Sequence, residues 1–146
     1  MEDRYLFRGK RIDNGEWVEG YLSYPFCTKK GNESYYFYAK DSLDFFCHCV
    51  VDASTICQCT GFKDKNGKLI WENDLVKDLF SDTIAPIRYG SYQNCFDSTK
   101  TENVGFYVDW SVTDKKYMRK DLGYWINMVD AEVIGNTFDN PELLEV

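Results

Sequence analysis

Residues Thr60–Lys77, reading TGFKDKNGKLIWENDLVK, constrain the fold more than any other stretch of the chain. Two turn signals separate three short apolar runs. Asn and Gly tolerate positive φ, which a type I′ turn requires at both central positions, so Lys65-Asn66-Gly67-Lys68 predicts a two-residue hairpin turn. Leu69-Ile70-Trp71 follows as a β-prone run. Glu72-Asn73-Asp74 then forms a polar reversal before Leu75-Val76. Upstream, Ser54–Thr60 alternates like a strand that ends at Gly61. Short strands joined by tight turns build small β-barrels.

The rest of the chain carries the same pattern. Strands are expected at Tyr5–Arg8, Glu16–Leu22, Ser34–Ala39, Phe45–Val51, Val104–Val108 and Ala131–Asn136. Gly9–Gly15 is a polar turn with Asn14-Gly15 as a second hairpin signal. Pro86 turns part of Ile84–Tyr92 into an edge or a break. Ser91–Asn103 is polar and patternless, so it is expected to be a mobile loop and a contact surface. Asp114–Met128 stays unassigned, because Gly123 weakens its helical reading. Asn140-Pro141-Glu142-Leu143-Leu144 fits an N-cap with proline at the first helical position, giving a short terminal helix. Aromatic residues make up 17% of the 146 residues, which favours strands over helices. The expected fold is mainly β: a small β-barrel with additional strands, a short C-terminal helix and a single domain over 1–146.

Charge narrows the function classes. Seventeen basic residues face 24 acidic ones, for a net charge of −7. That balance opposes an extended grip on phosphates, so direct nucleic-acid binding is disfavoured. Lys115, Lys116, Arg119 and Lys120 cluster, but Asp114 and Asp121 flank them, and a solvated charged face accounts for the group. Met1-Glu2-Asp3-Arg4 opens no apolar leader, and no run reaches the length of a membrane helix. The expected location is the cytoplasm, with no membrane partner.

Three constellations were weighed as chemistry. Asp64, Glu72 and Asp74 could converge on a divalent cation as a metal-dependent hydrolase would need. Each also fits a turn position, where carboxylates accept backbone hydrogen bonds. Cys47-His48-Cys49 and Cys57-Gln58-Cys59 place paired thiols on one strand face. Their spacing is poor for zinc, and free cysteines, these four together with Cys27 and Cys95, behave as small buried hydrophobes. His48, the only histidine, alternates away from its cysteine neighbours, which disfavours a Cys–His nucleophile. No phosphate-binding loop, nucleophile elbow or zinc-protease motif is present, and no cofactor is expected.

The block from Thr60-Gly61 through Asp64, Asn66-Gly67, Ile70 and Asp74-Leu75-Val76 resembles the YopX family once it is joined to Ile134-Gly135-Asn136 and Asn140-Pro141-Glu142-Leu143-Leu144. Phe7-Arg8 resembles the family's first strand. The resemblance covers nearly the whole chain. It departs at Glu72-Asn73-Asp74, where the family carries Glu-Gly-Asp, and the cysteine pairs are not part of the family pattern. The resemblance implies bacteriophage or prophage origin, a bacterial host cell and an SH3-like β-barrel. It implies no catalytic or binding residues. Thr60, Gly61, Asp64, Asn66, Gly67, Ile70, Asp74, Val76, Ile134, Gly135, Asn136 and Pro141 are expected to serve the fold.

These readings lead to a non-enzymatic accessory protein that binds a host or phage protein or itself. An acidic inhibitor or mimic, acting on a host nucleic-acid-binding protein, ranks second. The metal-dependent hydrolase ranks third.

Overall fold

A computed structural model describes residues 5–22, 26–29, 32–39, 48–94, 96–113 and 119–145. Mainly β, it holds two antiparallel sheets and one short α-helix. Its packing divides into two compact units, Met1–Cys59 and Thr60–Val146.

The first unit contains β1 (Phe7–Lys10), β2 (Trp17–Leu22), β3 (Phe26–Lys29), β4 (Asn32–Ala39), β5 (His48–Val51) and the start of β6 (Cys57–Lys63). β1 lies between β2 and β6, with Phe7 opposite both Gly20 and Gln58. β4 pairs with β2, β3 and β5. β3 follows Pro25, where the sequence pattern ends, so its pairing with β4 is what makes it a strand. Gly9 and Lys10 belong to β1 rather than to the turn, which occupies Arg11–Glu16 with Gly15 at φ 70°. A side chain on Gly9 would bring its Cβ to 3.2 Å from Val51 Cβ, so glycine lets β1 approach β5 there.

Val51 also forms a single antiparallel bridge with Arg11. Ile12 N–H donates to Val50 C=O at 3.1 Å, and Asp52 N–H to Lys10 C=O at 2.8 Å. Barrel closure needs a continuous ladder around the axis. The described strands have only this bridge, and no closed barrel forms.

In the second unit β6 pairs with β7 (Leu69–Trp71). A separate four-stranded sheet runs in the order β10 (Asn103–Val108), β9 (Ile84–Tyr92), β8 (Asp74–Lys77), β11 (Glu132–Asn136). Its core contains Ile70, Val76, Ala85, Ile87, Val108, Trp110, Leu122, Trp125, Ile126, Ala131 and Val133.

Several local expectations change. β6 passes straight through Gly61, which takes φ 82°. Between β6 and β7 only Gly67 has positive φ, so the turn is not type I′. Instead Gly67 N–H donates to Asp64 C=O and Asp64 N–H to Lys68 C=O, at 3.0 and 2.9 Å. Asn73 takes φ 68°, a left-handed conformation that asparagine tolerates better than most residues besides glycine. Pro86 breaks nothing. It sits within β9 opposite Leu75, and β10 begins its pairing one residue later at Ile87. Leu122–Asn127 is helical (α1), with Leu122, Trp125 and Ile126 buried. Pro141–Leu144 is one 3₁₀ turn, and Asn140 does not cap it. The Asn140 carboxamide oxygen accepts from Asn136 N–H at 3.2 Å instead. Phe45, Phe46 and Asp41–Asp44 lie outside the described residues.

Candidate functional site

Alternation along β9 and β10 sets up two faces. On one face Ile87 and Val108 are buried in the core, and the next cross-strand pair is Tyr89 with Phe106. Their rings meet edge to face at 5.0 Å. Beyond them Val104 is 71% exposed and stands opposite Ser91. The apolar face of the sheet therefore runs out of the core into solvent.

β8 pairs with β9 only from Ile84 to Pro86, and Asn73 N–H takes the Ile87 carbonyl at 2.8 Å. From Arg88 to Tyr92, β10 is the only strand paired to β9 among the described residues. This end of the sheet is a two-stranded ribbon.

The other face of the ribbon is polar and pinned. Gly90 stands opposite Gly105, which removes two side chains from this face. Tyr107 leans across the gap, its Cε1 4.0 Å from where a Gly90 Cβ would be, and stacks on Tyr92 with ring centroids 5.1 Å apart. Tyr92 O–H donates to Asp121 Oδ1 at 2.9 Å, Asn94 Nδ2 donates to Oδ2 at 3.2 Å, and Arg119 Nε reaches the same oxygen. Burial and the Asp121 carboxylate push the Tyr92 phenol up to about 12. For Asp121, burial works against ionisation. Hydrogen bonds from Arg119 and Tyr92, the Arg119 charge and the Asn94 bond outweigh it, so its pKa lies below the ordinary value. Both tryptophans of the neighbouring core, Trp110 and Trp125, donate their indole N–H to the Arg119 carbonyl.

The loop after β9 is built rather than patternless. Asp97 accepts from Thr99 N–H and Oγ1 through Oδ1, and from Thr101 N–H through Oδ2. The Thr99 bonds, chiefly the hydroxyl one, lower the Asp97 pKa. Gln93 Nε2 donates to the carbonyl of Lys100, which sits at φ 52°. Phe96 lies 61% exposed under the Arg119 guanidinium. A cavity of about 590 Å³ opens between this loop, the end of β9 and Lys120. Its carboxylates Asp97 and Glu102 are already engaged by threonine and serine donors.

The family-motif residues lie elsewhere in the second unit. Asp64 is buried. It accepts Asn66 and Lys68 N–H through Oδ1 and Val133 N–H through Oδ2, tying the β6–β7 turn to β11. The Asn66 side chain adds a bond to Glu132 at 3.1 Å. Thr60 Oγ1 donates to Ile70 C=O at 2.8 Å, and Asp74 Oδ2 accepts Trp71 N–H at 2.9 Å. Ile70 and Val76 are in the core, whereas Ile134 is half-buried and Val133 takes the core side of β11. Gly135 admits the Asn140 side chain, whose Oδ1 lies 2.4 Å from where a Cβ would be. The Asn136 side chain accepts Phe138 and Asp139 N–H, and Pro141 opens the last turn.

Asp64 and Asp74 are thus spent on backbone amides. Among the described residues no group of three metal-ligating side chains forms. Cys57 and Cys59 are buried, and the Cys57 thiol donates to the Thr55 carbonyl at 3.2 Å. Cys47, Cys95, Lys115, Lys116 and Asp114 lie outside the described residues, as do the side chains of Cys27, His48 and Cys49. No helix among the described residues is long and apolar enough to cross a membrane. The ribbon face was missed in the sequence because strand alternation does not show where the neighbouring strands stop.

The molecule is therefore a two-sheet β protein with an aromatic ribbon and amide-bound turn carboxylates. It belongs to the YopX family: the sequence model of the YopX protein matches residues 6–145. No curated protein matches the chain.

Proposed function

We propose that this chain is a non-enzymatic interaction module of bacteriophage or prophage origin, acting in the cytoplasm of a bacterial host as one YopX-like domain over 1–146. The observation that carries the reading is the β9–β10 ribbon, where Tyr89 and Val104 are 56% and 71% exposed on a face continuous with the core. Large side chains held on a paired backbone lose little freedom on binding, which suits an interface. The Tyr92–Asp121–Arg119 cluster fixes the opposite face, so the aromatics are presented on a rigid support. The family-motif residues are read as the scaffold of that support. The Arg11–Val51 bridge favours a barrel-like first unit of the SH3-like kind.

The test compares wild type with Tyr89→Lys combined with Val104→Lys, using light scattering and affinity capture from bacterial lysate. Expected is self-association or capture by wild type that the double variant loses while keeping its circular dichroism. A wild-type chain that stays monomeric and captures nothing would falsify the reading.

A further inference from the structure

The outer edge of β9 from Arg88 to Tyr92 points to its own partner. Resting on the interaction-module reading, we infer that this edge pairs, antiparallel, with the same edge of a second copy of this chain. The Asn73-to-Ile87 bond fixes which backbone groups point away from β10: those of the odd-numbered residues, hence Tyr89 and Ser91. Both residues are exposed. An antiparallel edge is self-complementary about a two-fold axis. The register that uses every outward group sets Tyr89 opposite Ser91 of the second copy and Gly90 on the axis opposite its own equivalent. Gly90 then occupies the non-hydrogen-bonded position, where the two strands come closest, about 4.5 Å between Cα atoms. A residue without a side chain suits that position. On the apolar face each Tyr89 ring stands beside the small Ser91 of the other copy, with Val104 next in the row.

Among the described residues no strand besides β10 pairs with 88–92, although the Pro141–Leu144 turn packs near β9. Natural edges are blunted by lysine, proline, bulges or a covering segment. The 88–92 stretch has no proline or lysine, and its register with β10 is unbroken. Its one charge, Arg88, is drawn back to Asn73 Oδ1 of its own chain. The opposite edge of the ribbon is less available, because Val108 N–H is taken by Lys120 C=O and Tyr107 is bridged to Asp121. Each copy carries −7, so the pair forms against long-range repulsion that salt screens.

The decisive variant is Ser91→Pro. Proline removes an outward N–H and blocks edge pairing without removing a bond to β10. Light scattering should give wild type twice its 17.1 kDa mass at high concentration, more readily at high salt, with the variant monomeric and its circular dichroism unchanged. Amide exchange at Tyr89 and Ser91 should slow by at least about tenfold as wild type is concentrated, which reads the edge without any substitution. A folded Ser91→Pro that keeps the doubled mass overturns the inference, and so do Tyr89 and Ser91 amides whose exchange ignores concentration. If wild type is monomeric but captures a bacterial protein through Tyr89, the edge pairing is wrong and the interaction module stands. A monomer that captures nothing removes both.

Discussion

Ile84–Ile87 and Arg88–Tyr92 are consecutive halves of one strand, yet they live in different physical settings. The first half is flanked by β8 and then β10, and Ala85, Pro86 and Ile87 are buried. Among the described strands the second half pairs with β10 alone, and it alternates between exposed and half-buried residues. The second unit also holds its carboxylates in two ways. Between the β6–β7 turn and β11, Asp64 is buried and satisfied by backbone amides of residues 66, 68 and 133. At the free end Asp121 is held by side chains, a phenol, a carboxamide and a guanidinium. Backbone donors come with the fold. Side-chain donors must be ordered for the purpose, and they can be removed one at a time. The anchored half supplies stability, and the free half is the part that the proposed recognition would use.

The sharpest break of this contrast is Ile87→Ala. Its side chain is fully buried in the core, so the variant should lose about 2–5 kcal/mol in denaturant unfolding. A loss below about 1 kcal/mol would mean that the anchored half is not the load-carrying one.

Next comes Gly135→Ala, also at the anchored end. The new methyl would collide with Asn140, 2.4 Å away, and should cost about 1–3 kcal/mol. Adding Asn140→Ala should recover part of that loss, because the obstructing atoms are then gone. No recovery in the double variant would place the cost in the backbone instead.

At the free end the expected effects are smaller and depend on pH. Tyr92→Phe removes the phenol bond to Asp121 and should cost about 0.5–1.5 kcal/mol at neutral pH. The phenol's ordinary pKa of 10.0 is raised to about 12 in the folded protein. A raised pKa means that the contribution is whole below pH 10 and is lost as pH climbs towards 12. Stability curves of wild type and Tyr92→Phe should therefore converge across that window. Asp121 runs the other way. Its pKa is depressed from 3.8, so its contribution holds above that pH and is lost as acid carries the solution through the lower folded value. Asp121→Asn should flatten the acid limb of the unfolding curve, and an unchanged limb would count against the cluster.

The smallest effect belongs to Val104→Thr, 71% exposed on the ribbon, which should stay within about 0.5 kcal/mol of wild type. Together with a loss of self-association, that result would separate recognition from stability within one sheet.

Legibility followed the range of the interactions. Asn-Gly at 66–67 and the Leu69–Trp71 and Leu75–Val76 runs were readable because turn conformation and strand alternation are local. The turn type was not, because Asp64 spends one oxygen on Val133, 69 residues away, and that bond holds the loop in its longer form. β3 was invisible for a similar reason: four residues become a strand only through β4. Pro86 reads as an edge or a break, and it lies where β9 is paired to β8 alone, since β10 pairing starts at the next residue. The polar 93–102 loop lacks any period, yet one aspartate organises it through Thr99 and Thr101.

Sequence alone determined the β class, the turn positions and the family, because those rest on conformational preferences of neighbouring residues and on a motif that the chain carries in order. Only the tertiary structure decided that the strands form two open sheets, and that Asp64 and Asp74 accept backbone amides. It also decided that half of β9 leaves the core. Each of those outcomes depends on which distant groups meet, and alternation along a strand is the same whether its apolar face ends against a core or in water.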